Sequence, residues 1–285
     1  MPRESCWRID GARVPVQVVL HGGLAVIRNR RARNPLKRVV DTQSALELGR
    51  SKYLQYLVME KCIRRMFFKI MPSLADSVDV LEHPFPIAET GPERLALEAP
   101  VRFWFGFLGK ATESKGFELF RQLAETVRMS APGKAEFHAI GPLGRLSNCG
   151  DLSALDRQPE REMLVRSEYV KGLKQMHYIC FPYRSAHYEL SVSGSVLDAV
   201  AFSKPMLAAR LPIFADLFNR FGDLGDLSDG PEEWKKTLLR IVSKPYRSRY
   251  RLQQDAMESL QRSRSISALA ESYRQVCRRG RDRFG

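Results

Sequence analysis

Short apolar runs alternate with helix-patterned stretches through the second half of this chain, and that alternation restricts the fold more than any other feature. Residues 101–108, 137–140, 178–182 and 206–208 read as strands, and residues 117–129, 196–202 and 231–242 as helices. Residues 168–170 read as a short extra strand and residues 141–161 as loop. A long, mostly helical stretch follows residue 242. Strands and helices in alternation predict an α/β domain with a parallel sheet.

The first half is patterned less regularly. Residues 14–20 (VPVQVVL) read as a buried strand that ends at His21-Gly22-Gly23. Six basic residues and no acidic one fall within residues 28–38, which predicts an exposed loop, interrupted by Asn34-Pro35. Met59, Cys62, Ile63, Met66, Phe67 and Ile70 recur at helical spacing, with Lys61, Arg64, Arg65 and Lys69 on the other face. Residues 78–81 read as a short strand before His83-Pro84. Pro86, Gly91, Pro92 and Pro100 mark residues 86–100 as a linker. The expected division is a lobe at 1–88, a second lobe at 101–275 and a basic tail at 276–285.

Two strand–turn–helix segments carry the chemistry. In FGFLGKATESKGF, Gly109, Lys110 and Lys115 lie in the turn. In YELSVSGSVLDAVAFSKPML, the turn holds Ser193, Gly194 and Ser195 ahead of a helix. Such turns bind anions, because free backbone N–H groups and the helix dipole point at the ligand. The charge agrees: 46 lysines and arginines against 32 acids give +14, which favours an anionic partner. The basic residues are not interleaved with aromatics on one surface, which argues against nucleic acid. The five cysteines are scattered without a CxxC pair, so neither a zinc site nor a disulfide framework is expected, and the thiols fit a reducing compartment. No apolar run reaches the roughly 18 residues of a spanning helix.

From about residue 100 onward these motifs resemble the C-terminal, donor-binding lobe of a family-four retaining glycosyltransferase of the GT-B type. Gly109-Lys110 and Lys115-Gly116 match its basic pair. Gly141 and Phe181-Pro182-Tyr183 match two later strand ends. Asp198, Ala199, Ala201, Lys204 and Pro205 fill its acid-Ala-x-Ala-x-x-Lys-Pro frame. Val18 to Gly23 is similar to the acceptor-lobe strand ending in a functional histidine. The resemblance implies a Rossmann-type donor lobe with a partial, N-terminally shortened acceptor lobe. It implies a hexosyltransferase that moves a sugar from a nucleotide-diphosphate sugar to a glycan or lipid-linked acceptor, in cell-surface polysaccharide synthesis at the cytoplasmic membrane face. Lys110 and Lys115 would hold the diphosphate, Asp198 the ribose, and Gly109, Glu189, Ser193 and Gly194 the rest of the donor. His21 would lie near the acceptor. No cofactor, metal or nucleic acid is implied. The residue pattern itself reads 59–70 as a core-facing helix with a solvated basic side, and contact of that side with an anionic membrane surface is the alternative.

The sequence departs from that pattern at one place. The family has a glutamate eight positions before its helix-start acid, where this chain has Leu190, with Glu189 beside it. That departure supports an alternative, a catalytically degenerate glycosyltransferase-like binding or scaffold protein.

Overall fold

The computed structural model describes residues 16–21, 42–48, 53–85, 94–97, 101–145, 150–184 and 188–284, with the short pair β1 (Arg8–Ile9) and β2 (Ala12–Arg13) and the isolated residues Leu24 and Ile27. The basic loop at 28–38, most of the linker at 86–100, Gly22, Gly23 and His187 lie outside the described residues. The chain divides into two compact units. One comprises Met1–Pro84, His187–Val192 and Arg264–Gly285, and the other Phe85–Ala186 and Ser193–Ser263.

In the first unit, β3 (Val16–Leu20), β4 (Leu54–Val58) and β5 (Val78–Val80) form a parallel sheet in that order. Helix α1 (Thr42–Leu48) precedes β4, and α2 (Lys61–Ile70) follows it. Val58 and Val78 in the sheet and Phe67 and Leu74 beside it are fully buried, whereas β3, at the sheet edge, is not the buried strand expected of residues 14–20: its Val18 and Val19 are 36% and 48% exposed. A polar row also crosses this sheet. Gln17 Nε2 donates to Gln55 Oε1 (2.6 Å) and Gln55 Nε2 to Asp79 Oδ2 (2.6 Å). Helix α9 (Ile266–Phe284) closes the row: Tyr273 donates to Gln17 (2.8 Å) and Arg279 to Asp79 (3.1 Å). The residues expected as a basic tail are thus the end of a helix through Phe284.

In the second unit, five strands are all parallel: β6 (Phe103–Leu108), β7 (Ala135–Ile140), β8 (Tyr178–Phe181), β9 (Met206–Ala209) and β10 (Gly225–Ser228). Their spatial order is β10-β9-β8-β6-β7. This is a doubly wound sheet whose winding direction reverses between β6 and β8, and ligands of such sheets bind beyond the strand C-termini at that reversal. The core joins Phe103, Phe105 and Phe107 to Phe117, Phe120 and Leu123 of α3 (Phe117–Ser130) and to Trp234 and Leu238 of α7 (Pro231–Ser243). His177 also serves this core: its Nδ1 accepts from the Trp104 N–H (3.0 Å), and burial and then Lys204 push its pKa down to about 4.

Residues 168–170 are not a strand but part of helix α4 (Arg166–Gln175). Three residues of extended-looking pattern concealed a helical spacing, in which Tyr169, Gly172, Leu173 and Met176 share one side. The sequence pattern also misses other elements, among them α1, β4, β10 and α6 (Pro212–Phe221), which has proline in its first turn. Helix α8 (Arg247–Ser263) completes the unit.

Helix α5 (Gly194–Ala201) ends in a left-handed residue that is not glycine. The Lys204 N–H bonds the Ala199 carbonyl (2.8 Å) and the Ser203 N–H the Val200 carbonyl (3.0 Å), the paired closure that normally carries glycine. Ser203 sits there with φ 52°, and its buried Oγ has no hydrogen-bond partner. Ser203→Gly removes both penalties. It is expected to stabilise the second unit by about 1 kcal/mol, or roughly 2–4 °C in thermal midpoint. A lower midpoint in a calorimetric scan would contradict this account.

Candidate functional site

The reversal point between β6 and β8 is where the predicted site residues of the second unit converge. Strand β6 ends at Leu108, and Gly109 follows with φ +80°. A Cβ at Gly109 would lie 2.9 Å from Lys115 Nζ and 3.0 Å from Ser195 Oγ, so only glycine lets these groups close over the strand end. Lys115 Nζ donates to the Leu108 carbonyl (3.2 Å) and to Ser195 Oγ (3.2 Å). Ser195 Oγ in turn donates to the same carbonyl (3.0 Å). The ammonium also faces the Tyr183 ring at 5.8 Å. Gly116, in the left-handed region, fixes the loop: a side chain there would overlap the Pro182 carbonyl after β8. Burial pushes the Lys115 pKa down to about 8, and nearby Asp198 partly opposes this. A partly desolvated cation at a strand C-terminus is suited to bind a phosphate oxygen.

Helix α5 points its first turn into the same region. Ser193 does not cap the helix with its side chain; its Oγ accepts from the Tyr183 hydroxyl (3.0 Å). Gly194 is exposed, and a Cβ there would meet nothing within 4 Å, so the helix N-terminus is open to a ligand. One turn later stands Asp198. Its Oδ1 accepts from Arg166 Nη2 (2.7 Å) and its Oδ2 from the Tyr169 hydroxyl (3.0 Å), both on α4. Lys110 is exposed on the loop after Gly109. Lys204 does not reach this site; it is fully buried, and its Nζ donates to the Lys174 carbonyl at the α4 C-terminus (2.6 Å).

Of the residues expected from the sequence, the fold brings Gly109, Lys115, Ser193, Gly194 and Asp198 around one strand end. Arg166 and Tyr169 escaped sequence reasoning. Their signal was the helical spacing of α4, lost when that stretch was read as a strand.

His21 and Glu189 belong to the first unit. His21 is exposed beyond β3, with its ring centroid 5.4 Å from that of His83. His83 Nδ1 lies 2.9 Å from the Met59 carbonyl, and the His83 backbone N–H donates to Glu60 Oε1 (3.2 Å). Glu60 is buried and receives both Nη atoms of Arg264 (2.8 and 2.9 Å). Glu189 is half-buried, while Leu190 is 1% exposed and packs as an apolar residue. Among the described residues, no group of three or more His, Cys, Asp or Glu side chains is placed to hold a metal ion. No helix among them is long and apolar enough to cross a membrane.

No protein-family model matches the sequence, and no curated protein does. Solved structures do match in fold. One is a UDP-forming α,α-trehalose-phosphate synthase from Burkholderia vietnamiensis, with TM-score 0.63 at 12% identity over 94% of this chain and 67% of that one. Another is WaaG, a glycosyltransferase involved in lipopolysaccharide biosynthesis, with TM-score 0.57 at 10% identity over 91% of this chain and 74% of that one. A third is the trehalose-6-phosphate protein from E. coli bound with UDP-2-fluoro glucose, with TM-score 0.60 at 11% identity over 84% of this chain and 63% of that one. The chain thus spans about two thirds of the length of these proteins. It has their fold, a mixed α/β architecture with parallel, Rossmann-like sheets.

Proposed function

We propose that this chain, built on the fold of sugar-transferring enzymes, moves a sugar from a nucleotide-diphosphate sugar to an acceptor. The observation that carries the reading is the Lys115 ammonium, held at the winding reversal beside the open N-terminus of α5. Breaking the glycosidic bond of such a donor leaves negative charge on the departing diphosphate. Lys115, exposed Lys110 and the α5 backbone would stabilise that charge in a site already organised for it. Asp198 would accept from the ribose hydroxyls. Gly109, Ser193, Gly194 and Glu189 would contact the rest of the donor, and His21 the acceptor. The family resemblance further suggests retention of configuration and a glycan or lipid-linked acceptor in cell-surface polysaccharide assembly at the cytoplasmic face. Exposed Lys61, Arg65 and Lys69, spaced along one side of α2, suit contact with an anionic membrane surface.

One observation favours the second reading, a binding or scaffold protein without turnover: Leu190 is buried where the family has a glutamate. Thermal unfolding with UDP-, GDP- and ADP-sugars tests the shared premise. A ligand at a hundred times its Kd adds about 2.7 kcal/mol. A shift with one nucleotide, together with release of that nucleotide when acceptor glycans are added, is expected for the enzyme. A shift without release supports the scaffold, and no shift with any donor from a folded sample removes both readings.

A further inference from the structure

Resting on the donor-binding reading above, we infer that Tyr169 is a positioning residue that fixes the Asp198 carboxylate for ribose hydroxyls, while Arg166 is a displaceable cover over it. The two partners of Asp198 differ in kind. Tyr169 is half-buried, and burial first and Asp198 second raise its phenol pKa, so it remains a neutral donor at all working pH. Its hydroxyl, 3.0 Å from Oδ2, holds that oxygen from within the protein. Arg166 approaches Oδ1 at 2.7 Å with a side chain 60% exposed against 17% for Asp198, and its guanidinium lies 5.3 Å from the Tyr169 ring centroid. An exposed ion pair holds weakly, so this contact yields readily to a competing donor.

A carboxylate has about four acceptor positions. With Tyr169 and Arg166 each occupying one, each oxygen keeps a lone pair, and departure of Arg166 frees a further one on Oδ1. Two neighbouring hydroxyls on one ribose can then bind the same carboxylate. Without the Tyr169 bond the carboxylate can rotate towards Arg166, and that two-point recognition is lost. Lys115, Lys110 and the α5 N-terminus are separate groups, so phosphate binding should not depend on Tyr169.

The test is calorimetric binding to the full chain of UDP, GDP and ADP, each against its 2′-deoxy counterpart, with inorganic pyrophosphate as the reference anion. The wild type is expected to prefer one ribonucleotide over its deoxy form by about tenfold, the effect of one hydrogen bond to a charged group. Tyr169→Phe should bring that ratio to within about threefold and leave pyrophosphate affinity and the thermal midpoint near wild type. Arg166→Gln should keep the ratio. Asp198→Asn should lower it, and adding Tyr169→Phe to Asp198→Asn should lower it no further, because Tyr169 acts only through that carboxylate. A ratio retained in Tyr169→Phe, an additive loss in the double variant, or a wild type indifferent to the 2′-hydroxyl overturns the positioning role but leaves donor binding standing. A folded wild type that binds neither nucleotides nor pyrophosphate overturns both. Should Tyr169→Phe not fold, Asp198→Asn decides: a ratio unchanged there overturns the proposal, and a ratio lost with pyrophosphate binding intact supports it.

Discussion

Replacing Arg264 with methionine is expected to cost about 3–5 kcal/mol, the penalty for leaving a buried charge without its partner. Glu60 is 1% exposed and Arg264 3%, and their two hydrogen bonds are 2.8 and 2.9 Å long. Arg264 Nη1 also donates to the His83 carbonyl (3.2 Å), and its Nε lies 3.2 Å from Glu82 Oε2. The double variant Glu60→Met/Arg264→Met should recover much of the loss, since neither charge then remains. Urea unfolding of the four forms checks this, and a single variant as stable as wild type would contradict it. The pH dependence has a definite sign. Burial alone would raise the Glu60 pKa, but hydrogen bonds from His83 and Arg264 outweigh it, so the carboxyl titrates below its usual range. Its contribution is therefore full above the ordinary glutamate pKa and fades as pH falls through the lowered one. The difference between wild type and Glu60→Gln should narrow in acid.

Lys115→Ala is expected to weaken binding of a nucleoside diphosphate by about a hundredfold, because a charge-assisted contact in a partly dry site is lost. Lys110→Ala, at an exposed position, should cost far less. The pH profile distinguishes a binding cation from a structural one. With its pKa near 8, Lys115 loses its proton above that value, so wild-type affinity should decline there, and Lys115→Arg should not show the decline. Stability moves the opposite way. The unfolded lysine holds its proton up to about 10.5, so the folded protein gains stability from pH 8 to that value relative to Lys115→Met. Calorimetric titration from pH 7 to 10, paired with unfolding scans, measures both. A flat affinity profile would remove Lys115 from the anion site.

Elements whose residues announce their own surroundings were legible in the sequence. Strand β6 reads as an unbroken apolar run because both its faces are covered, and α3 repeats its buried residues at helical spacing. Strand β10, GDLS, carries no such mark; it is a strand because it pairs with β9. The site shows the same division. Lys115-Gly116 stands out beside a strand end, yet its partner Ser195 is 80 residues away and is brought close by the reversal of the sheet. Arg166 lies 32 residues from Asp198, and only the helical phase of α4 aligns it with Tyr169. Ser203 was visible as a serine, but its left-handed backbone was not.

The second unit is drawn from a nearly continuous stretch of chain, whereas the first waits for α9, and Glu60 meets Arg264 across 204 positions of sequence. A nascent chain emerges at a limited rate and its domains fold as units. The parallel sheet of the second unit should therefore consolidate while α9 is still being synthesised. Until then the buried carboxylate of Glu60 and the polar row on Asp79 lack their guanidinium partners. High sequence separation slows such closure, so the first unit should form later and fray sooner, and native-state hydrogen exchange should find its amides the less protected of the two.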